Sequence, residues 1–314
     1  MVDHEQGALG WRRTNYLSMM CVFLLTVSFS FTVPFLPLYL QEIDGLSGPD
    51  AALWAGIATG LGGVGSFLGG PLWGALGDRF GRKPMLVRAS FAGATGLLLL
   101  GLCTSTWQVV VIRGLIGFMA GAPAAAMALM AAGTPRSLLS RALGQTQAAM
   151  LAGLALGPVF AAVLVGFLGY RDTFIAAGIL MYSGSIVSAA FIREQRVPYV
   201  KPAKGTGALG LALRAPVVWG ALVLVLTLSY AAPMVQPILP PFVVTLLPDG
   251  ASATTVIGWL FFGISAASAI SAVLAGRLIR RLGLQRVLLG ATVGVAVFLL
   301  PAGLSSTVWQ LAIW

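Results

Sequence analysis

The chain has 314 residues, 58% of them hydrophobic and 9% charged, with a formal net charge of +10. A water-soluble domain is about one-quarter charged, and no soluble core absorbs this much apolar sequence, so the bilayer is the solvent that fits. Two cysteines, one histidine in a polar tail (His4), and no metal-ligand spacing, Ser/His/Asp set or phosphate loop leave an enzyme without support in the residues, and no cofactor is expected.

Apolar runs predict helices near 16–40, 53–76, 85–104, 107–132, 142–168, 171–192, 216–245, 254–279 and 284–304, with a tenth beginning at about Thr307. Each complete run has about 20 residues or more, enough to cross roughly 30 Å of hydrocarbon as a helix. Barrel strands are about half that length and alternate polar with apolar residues, which these runs do not. The expected fold is an all-helical integral membrane protein. The first run is too long for the core of a secretion signal and lacks a small-residue cleavage site after it, so it is kept as a span.

Charge placement gives the orientation. All but Arg113 and Arg171 of the 19 Lys and Arg lie in the N-terminal tail or beside the 2–3, 4–5, 6–7 and 8–9 connections. The alternate connections are acidic or uncharged, with Glu42, Asp44 and Asp50 in the first and Asp249 in the seventh. Basic residues mark the cytoplasmic side, so the N-terminus is expected there, in a multi-pass protein of the inner membrane. The basic balance reports topology, and no nucleic-acid partner is expected. Cys21 and Cys103 are placed at opposite faces of the bilayer and cannot form one disulfide.

Between the second and third spans the sequence reads GALGDRFGRKP, from Gly74 to Pro84. Gly74 is expected to let the second helix end against a close neighbour, and Gly81 to allow a tight turn at positive φ. Asp78 can face the positive end of a helix dipole and a nearby guanidinium. Positive-inside topology accounts for Arg79, Arg82 and Lys83 but not for an acid.

In the fourth span, VVVIRGLIG places Arg113 six residues past Trp107, roughly 9 Å along the helix. A charge held there costs at least ~2.5 kcal/mol unless it is paired, faces water or snorkels to a surface. The fifth span reads GQTQAAMLAGLALGPVFAA, with Gly144, Gly153, Gly157 and Pro158 spaced along it. Small residues let helices approach, and Pro158 frees a carbonyl and bends the helix. Such a helix is expected to seal the inner half of a pathway against the eighth, where Gly263, Ala266, Ala267 and Ala269 are also small. Gly56, Gly60, Gly65 and Gly69 of the second span read as simple packing.

The chain repeats itself. LCTSTWQ at 102–108 returns as LSSTVWQ at 304–310, an offset of 202 that also relates Gly56 to Gly258, Gly81 to Gly283 and Leu86 to Leu288. PFLP at 34–37 returns as PILP at 237–240, an offset of 203. Six spans fit one period, so both copies enter the membrane in one orientation, as parallel repeats do. The expected organisation is a six-helix half at 1–192, a polar cytoplasmic linker at 193–215 and a second half at 216–314 that stops within its fourth helix. Twelve spans are expected in all, the last of them about 80 residues beyond Trp314. At the repeat of the charged loop, GRLIRRLGLQR keeps Gly283 and the bases, but Arg280 stands where Asp78 does and no acid is present.

GALGDRFGRKP resembles the loop signature of the major facilitator superfamily, matching at Gly74, Asp78, Arg79, Gly81, Arg82 and Lys83. Helix number, repeat and loop position agree with that family over the whole chain. The resemblance implies a transporter of two six-helix halves, with this loop as a latch between them. It also implies that Arg113 serves proton coupling or substrate contact. The fifth span resembles the antiporter motif of drug-exporting members, with Ala161 and Ala162 where a glycine pair is usual. By the architecture of the fold, the first, fourth and seventh spans line the path. They offer Phe31, Phe35, Met119, Tyr230, Met234 and Gln236, with kinks at Pro34, Pro37, Pro123, Pro233 and Pro237. Aromatic and methionine surfaces adapt to varied apolar ligands.

The reading that emerges is a monomeric secondary-active exporter of small amphipathic or hydrophobic compounds, exchanging them for protons. The alternatives are an exporter of sugars or another metabolite, and a truncated chain without transport activity. Proton exchange needs a titratable carrier. No span holds an acid at its middle, which leaves Glu42, Asp44 and Asp78 as candidates. One charge falling through 100 mV releases about 2.3 kcal/mol, enough for a concentration ratio of roughly 50-fold.

Overall fold

The structure, a computed structural model, describes residues 2–192, 218–220, 236–247, 252–307 and 310. The helices are α1 (Val2–Ser30), α2 (Thr32–Asp44), α3 (Gly48–Phe80), α4 (Arg82–Gly101), α5 (Thr106–Phe118), α6 (Ala122–Gly133) and α7 (Leu139–Phe191). After the linker region come α8 (Leu239–Leu246), α9 (Ala253–Leu282) and α10 (Leu284–Gly303). No strand occurs among the described residues. The linker expected at 193–215 lies outside them.

Length shows how these helices become spans. α7 has 53 residues, which laid straight would run about 80 Å, more than twice the hydrocarbon thickness. Gly169 is non-helical within it, at φ 79 and ψ 175, and divides it into the fifth and sixth spans. The sixth arm then folds back on α4, where a Cβ on Gly178 would meet Leu98 at 2.8 Å.

Two spans expected to be continuous are broken. The first divides at Phe31, with a bend of 44° between Asn15–Ser30 and Pro34–Asp44. Pro34 has no N–H, so the Ser30 carbonyl loses its helical donor. The fourth divides between Phe118 and Ala122. There Gly121 takes φ 123, and Pro123 opens α6 instead of kinking a longer helix.

The repeat is visible bond by bond. The turn from α3 to α4 has Gly81 at φ 106, and that from α9 to α10 has Gly283 at φ 83. Each glycine N–H closes on a carbonyl four residues back, Gly77 or Ile279, at 3.0 Å. Ser66 donates to Gly62 O and Ser268 to Ile264 O, at 3.0 and 2.8 Å. Ser90 donates to Leu86 O and Thr292 to Leu288 O, at 2.7 and 3.0 Å. At the start of the fourth span Gln108 accepts from Thr104 N, and at its counterpart Gln310 accepts from Ser306 N, both at 2.9 Å. Every pair is 202 residues apart.

Glycine sets the closest helix approach. α3 lies on α5 through Gly62, Gly65 and Gly69 on one side and Gly114 and Gly117 on the other. A Cβ on Gly65 would stand 2.5 Å from Gly114 O, and one on Gly69 would overlap Phe118 O. The predicted packing role holds for Gly65 and Gly69; Gly56 and Gly60 face open space. The core of the first half is built on Phe35, Leu36, Tyr39, Leu97, Leu100 and Phe174, all buried.

Candidate functional site

The signature loop is the turn between α3 and α4. Asp78 in the last turn of α3 forms an ion pair with Arg82, the first residue of α4, both partly exposed. Gly81 takes the positive φ expected of it. The Arg79 guanidinium carbon lies 5.5 Å from the Phe80 ring centre, and Lys83 follows Arg82 into the first turn of α4. The expected close approach at Gly74 is not found, since a Cβ there meets nothing within 4 Å. Gly77 makes it instead, one turn further on, where a Cβ would lie 3.1 Å from Met85 Cγ. The carboxylate's described partner is thus inside its own half.

Arg113 sits on the inner face of α5 with 6% of its surface exposed. Its guanidinium carbon lies 5.4 Å from the Phe29 ring centre on α1. Nε and Nη1 are buried, and among the described residues nothing accepts from them. The side chain does not snorkel. A cation–π contact offsets about 1–2 kcal/mol, less than an isolated buried charge costs. Asp44, one of the candidate proton carriers, instead accepts from Thr106 N at 2.5 Å, capping the positive end of α5. Glu42 is exposed.

The small residues of the fifth span do not meet the partners expected of them. Gly153 and Gly157 face α1, not the eighth span, with Thr26 and Ser30 seated over them. Ser30 Oγ donates to Gly153 O at 3.3 Å. The residues that do meet α9 are Pro158 and Ala162. A Cβ on Gly258 would lie 3.1 Å from Pro158 O and 2.6 Å from Ala162 Cβ. Ser265 Oγ donates to Leu154 O at 3.4 Å, the carbonyl that Pro158 leaves without a helical donor. Gly144 and Gly263 face open space, Ala266 is half-buried and Ala267 exposed. The Ala269 side chain lies outside the described set.

These contacts also fall on a different side from the one expected. Spans alternate in direction, so the Gly81 and Gly283 turns share one face, while Gly169 and the loop before α9 share the other. Gly258 is six residues into α9 and Ala162 seven residues before Gly169, so this contact runs from mid-span towards the face opposite the signature loop. On that face a Cβ on Gly48, the first residue of α3, would stand 3.7 Å from Pro241 Cβ of α8.

Of the expected path-lining residues, Phe31 and Phe35 are packed in the core, Phe35 with its ring centre 6.2 Å from that of Tyr170. Met119 caps the end of α5, and Gln236 is half-buried. Tyr230, Met234 and Pro233 lie outside the described residues.

The sequence profile of the Major Facilitator Superfamily matches residues 18–314. The chain belongs to the Major Facilitator Superfamily. Among curated members of this superfamily it is 32% identical over 312 residues to the multidrug resistance protein MdtG of Enterobacter lignolyticus, covering 98% of this chain and 74% of the relative. The corresponding protein of Salmonella typhimurium is 30% identical over 308 residues, covering 97% of this chain and 76% of the relative. The same fold recurs in the crystal structure of a bacterial homologue of the human lysosomal transporter Spinster, in an inward-facing, unoccupied conformation. The TM-score is 0.69 at 17% identity, with 86% of this chain and 63% of that one aligned. A D-xylose–proton symporter aligns with a TM-score of 0.60 at 18% identity, over 85% of this chain and 68% of that one. The chain thus spans about three-quarters of its curated relatives and a little under two-thirds of the Spinster homologue.

Within the superfamily fold, sequence reasoning overlooked Phe29, the aromatic face against Arg113, and the hydroxyls Thr26 and Ser30. Thr26, Phe29 and Ser30 recur at helical spacing on α1, a signal that could have placed them on one face. Which helix that face meets is a matter of tertiary packing.

Proposed function

We propose that the protein is a secondary-active exporter of small amphipathic or hydrophobic compounds, exchanging them for protons by alternating access. The halves at 1–192 and 216–314 are the moving bodies, joined by the linker at 193–215, with the N-terminus in the cytoplasm and the monomer as the working unit. The observation that carries this is likeness along almost the whole chain to relatives named as multidrug resistance proteins. Arg113 adds to it: a buried cation over an aromatic face, with two donors that find no acceptor among the described residues, suits a path that carries apolar molecules and must still register charge. Helix-to-helix contact between the halves towards one face accords with rocking about that face. The signature residues Gly74, Asp78, Arg79, Gly81, Arg82 and Lys83 are the latch of the opposite face, where Asp78 can exchange Arg82 for a partner on the other half. Gly153, Gly157 and Pro158 fasten the fifth span to the first and present its freed carbonyl to the eighth.

The test is efflux of a lipophilic cation dye from cells expressing the protein, with and without a protonophore. Export that stops when the proton gradient collapses is expected. Retention equal to that of empty-vector cells across a broad panel of amphipathic compounds would count against drug export, and export indifferent to the protonophore against proton exchange.

A further inference from the structure

The break in the fourth span leaves three consecutive carbonyls at the end of α5, those of Phe118, Met119 and Ala120. Pro123 has no N–H for Met119 O, four residues before it, and Gly121 at φ 123 turns the chain out of the helix. In an apolar setting such groups need donors from elsewhere. They find them on both sides of the signature loop. Trp73 Nε1, one residue before Gly74, donates to Phe118 O at 2.7 Å. Arg88, four residues after Pro84, donates from Nη1 to Met119 O at 3.1 Å and from Nη2 to Ala120 O at 3.3 Å. The Arg88 guanidinium carbon lies 3.6 Å from the Trp73 ring centre, and Trp73 meets the Phe118 ring edge-on at 6.1 Å between centres. One stacked pair, held by α3 and α4, therefore satisfies all three carbonyls. The last of α5 lies five residues beyond Arg113, about 8 Å along the helix axis.

We propose that Trp73 and Arg88 are positioning residues for transport: together they cap the carbonyls released at the Gly121–Pro123 break, tying the Arg113 segment to the signature loop and leaving α6 on a hinge. α5 stays with α3 through the glycine contact, while α6 lies mainly against α4. Movement of the loop is thus passed to α5, and the hinge absorbs the difference from α6. The link to transport rests on the function proposed above; the cap does not.

The experiment measures thermal unfolding of the detergent-solubilised full chain beside dye efflux in cells, for Arg88→Met, Arg88→Lys, Trp73→Phe and the triple variant Arg88→Met/Gly121→Ala/Pro123→Ala. Arg88→Met should lower the unfolding midpoint by about 5 °C and slow efflux about tenfold. Arg88→Lys should not restore either, because one ammonium cannot reach two carbonyls and stack on the ring. Gly121→Ala removes the residue that permits φ 123 and Pro123→Ala returns an N–H, so the span can run on as helix and supply Met119 O from within; the triple variant should regain at least half of the lost midpoint while efflux stays slow, since the hinge is gone. If Arg88→Met does not fold, Trp73→Phe keeps the ring and loses one donor, and should show the same loss in smaller measure. An unchanged midpoint in Arg88→Met or Trp73→Phe, or no recovery in the triple variant, overturns the cap. Recovery of efflux together with the midpoint reduces it to a structural prop and overturns the positioning role. Absence of dye efflux in the unaltered protein defeats the drug-export reading alone, and the unfolding measurements still decide the cap.

Discussion

Arg113 shows how much a single residue can say in a membrane. Water would solvate the guanidinium at almost no cost, whereas here two of its nitrogens are buried with no acceptor among the described residues, and a ring is the described neighbour. A charge kept on such terms costs stability, so replacing it with an apolar chain of similar volume relieves a penalty. Arg113→Met is therefore expected to hold or raise the unfolding midpoint while reducing efflux at least about tenfold, the loss of a charged interaction of about 1.5 kcal/mol or more. A lower midpoint with intact efflux would show a structural cation. Asp78 makes the complementary case at the surface. Its pairing with Arg82 is exposed and one turn apart, so it adds little to stability. Asp78→Asn should leave the amount of protein inserted in the membrane unchanged and cut transport; transport at the original rate would remove the latch.

At the scale of an element, glycine spacing was plain in the sequence, but which glycines touch a neighbour was not. Gly153 and Gly157 lie one turn apart beneath Thr26 and Ser30 on α1, and Gly69 lies beneath Phe118 O, so an added methyl must displace a hydroxyl or a backbone. Gly74 and Gly144 belong to the same recognisable motifs yet face open space. Alanine at Gly69 or Gly157 should cost about 1–3 kcal/mol, the usual penalty of overpacking, whereas alanine at Gly74 or Gly144 should leave the unfolding midpoint of the solubilised protein unchanged. Equal effects at all four positions would mean that the helix contacts are wrongly assigned. Proline behaves in the same divided way. Pro34 and Pro123 announce a disturbance in their spans, and the structure makes both into breaks with separate helices on either side. Pro158 stays inside α7, where Ser265 donates to the carbonyl it frees.

For the whole molecule, the decisive feature is where the halves meet. A Cβ on Gly48 would stand 3.7 Å from that of Pro241, inside the 3.5–4.5 Å range that a disulfide spans, and on the face opposite the signature loop. The native Cys21 and Cys103 are buried and unpaired, so they offer little competition. Gly48→Cys with Pro241→Cys should cross-link on mild oxidation and stop dye efflux, with recovery after reduction. Cross-linked protein that still transports would show that this face need not open.

Reading the chain alone determined the bilayer as solvent, the all-helical class, the six-span period and the signature loop with Asp78 and Gly81. All of these follow from local or compositional terms: apolar length, the cost of charge in hydrocarbon, and the conformational freedom of glycine. The 202-residue period even carried over to individual hydrogen bonds, because each is closed within one turn of helix. Only the tertiary structure decided that Gly157 meets Ser30, that Pro158 and Ala162 face Gly258, and that Trp73 and Arg88 reach the broken end of α5. Helical spacing fixes which residues share a face, but in lipid every face is apolar, so hydropathy no longer tells which neighbour a face will meet. That choice rests on shape and on the donors available to stray carbonyls, and both come from residues far away in the chain.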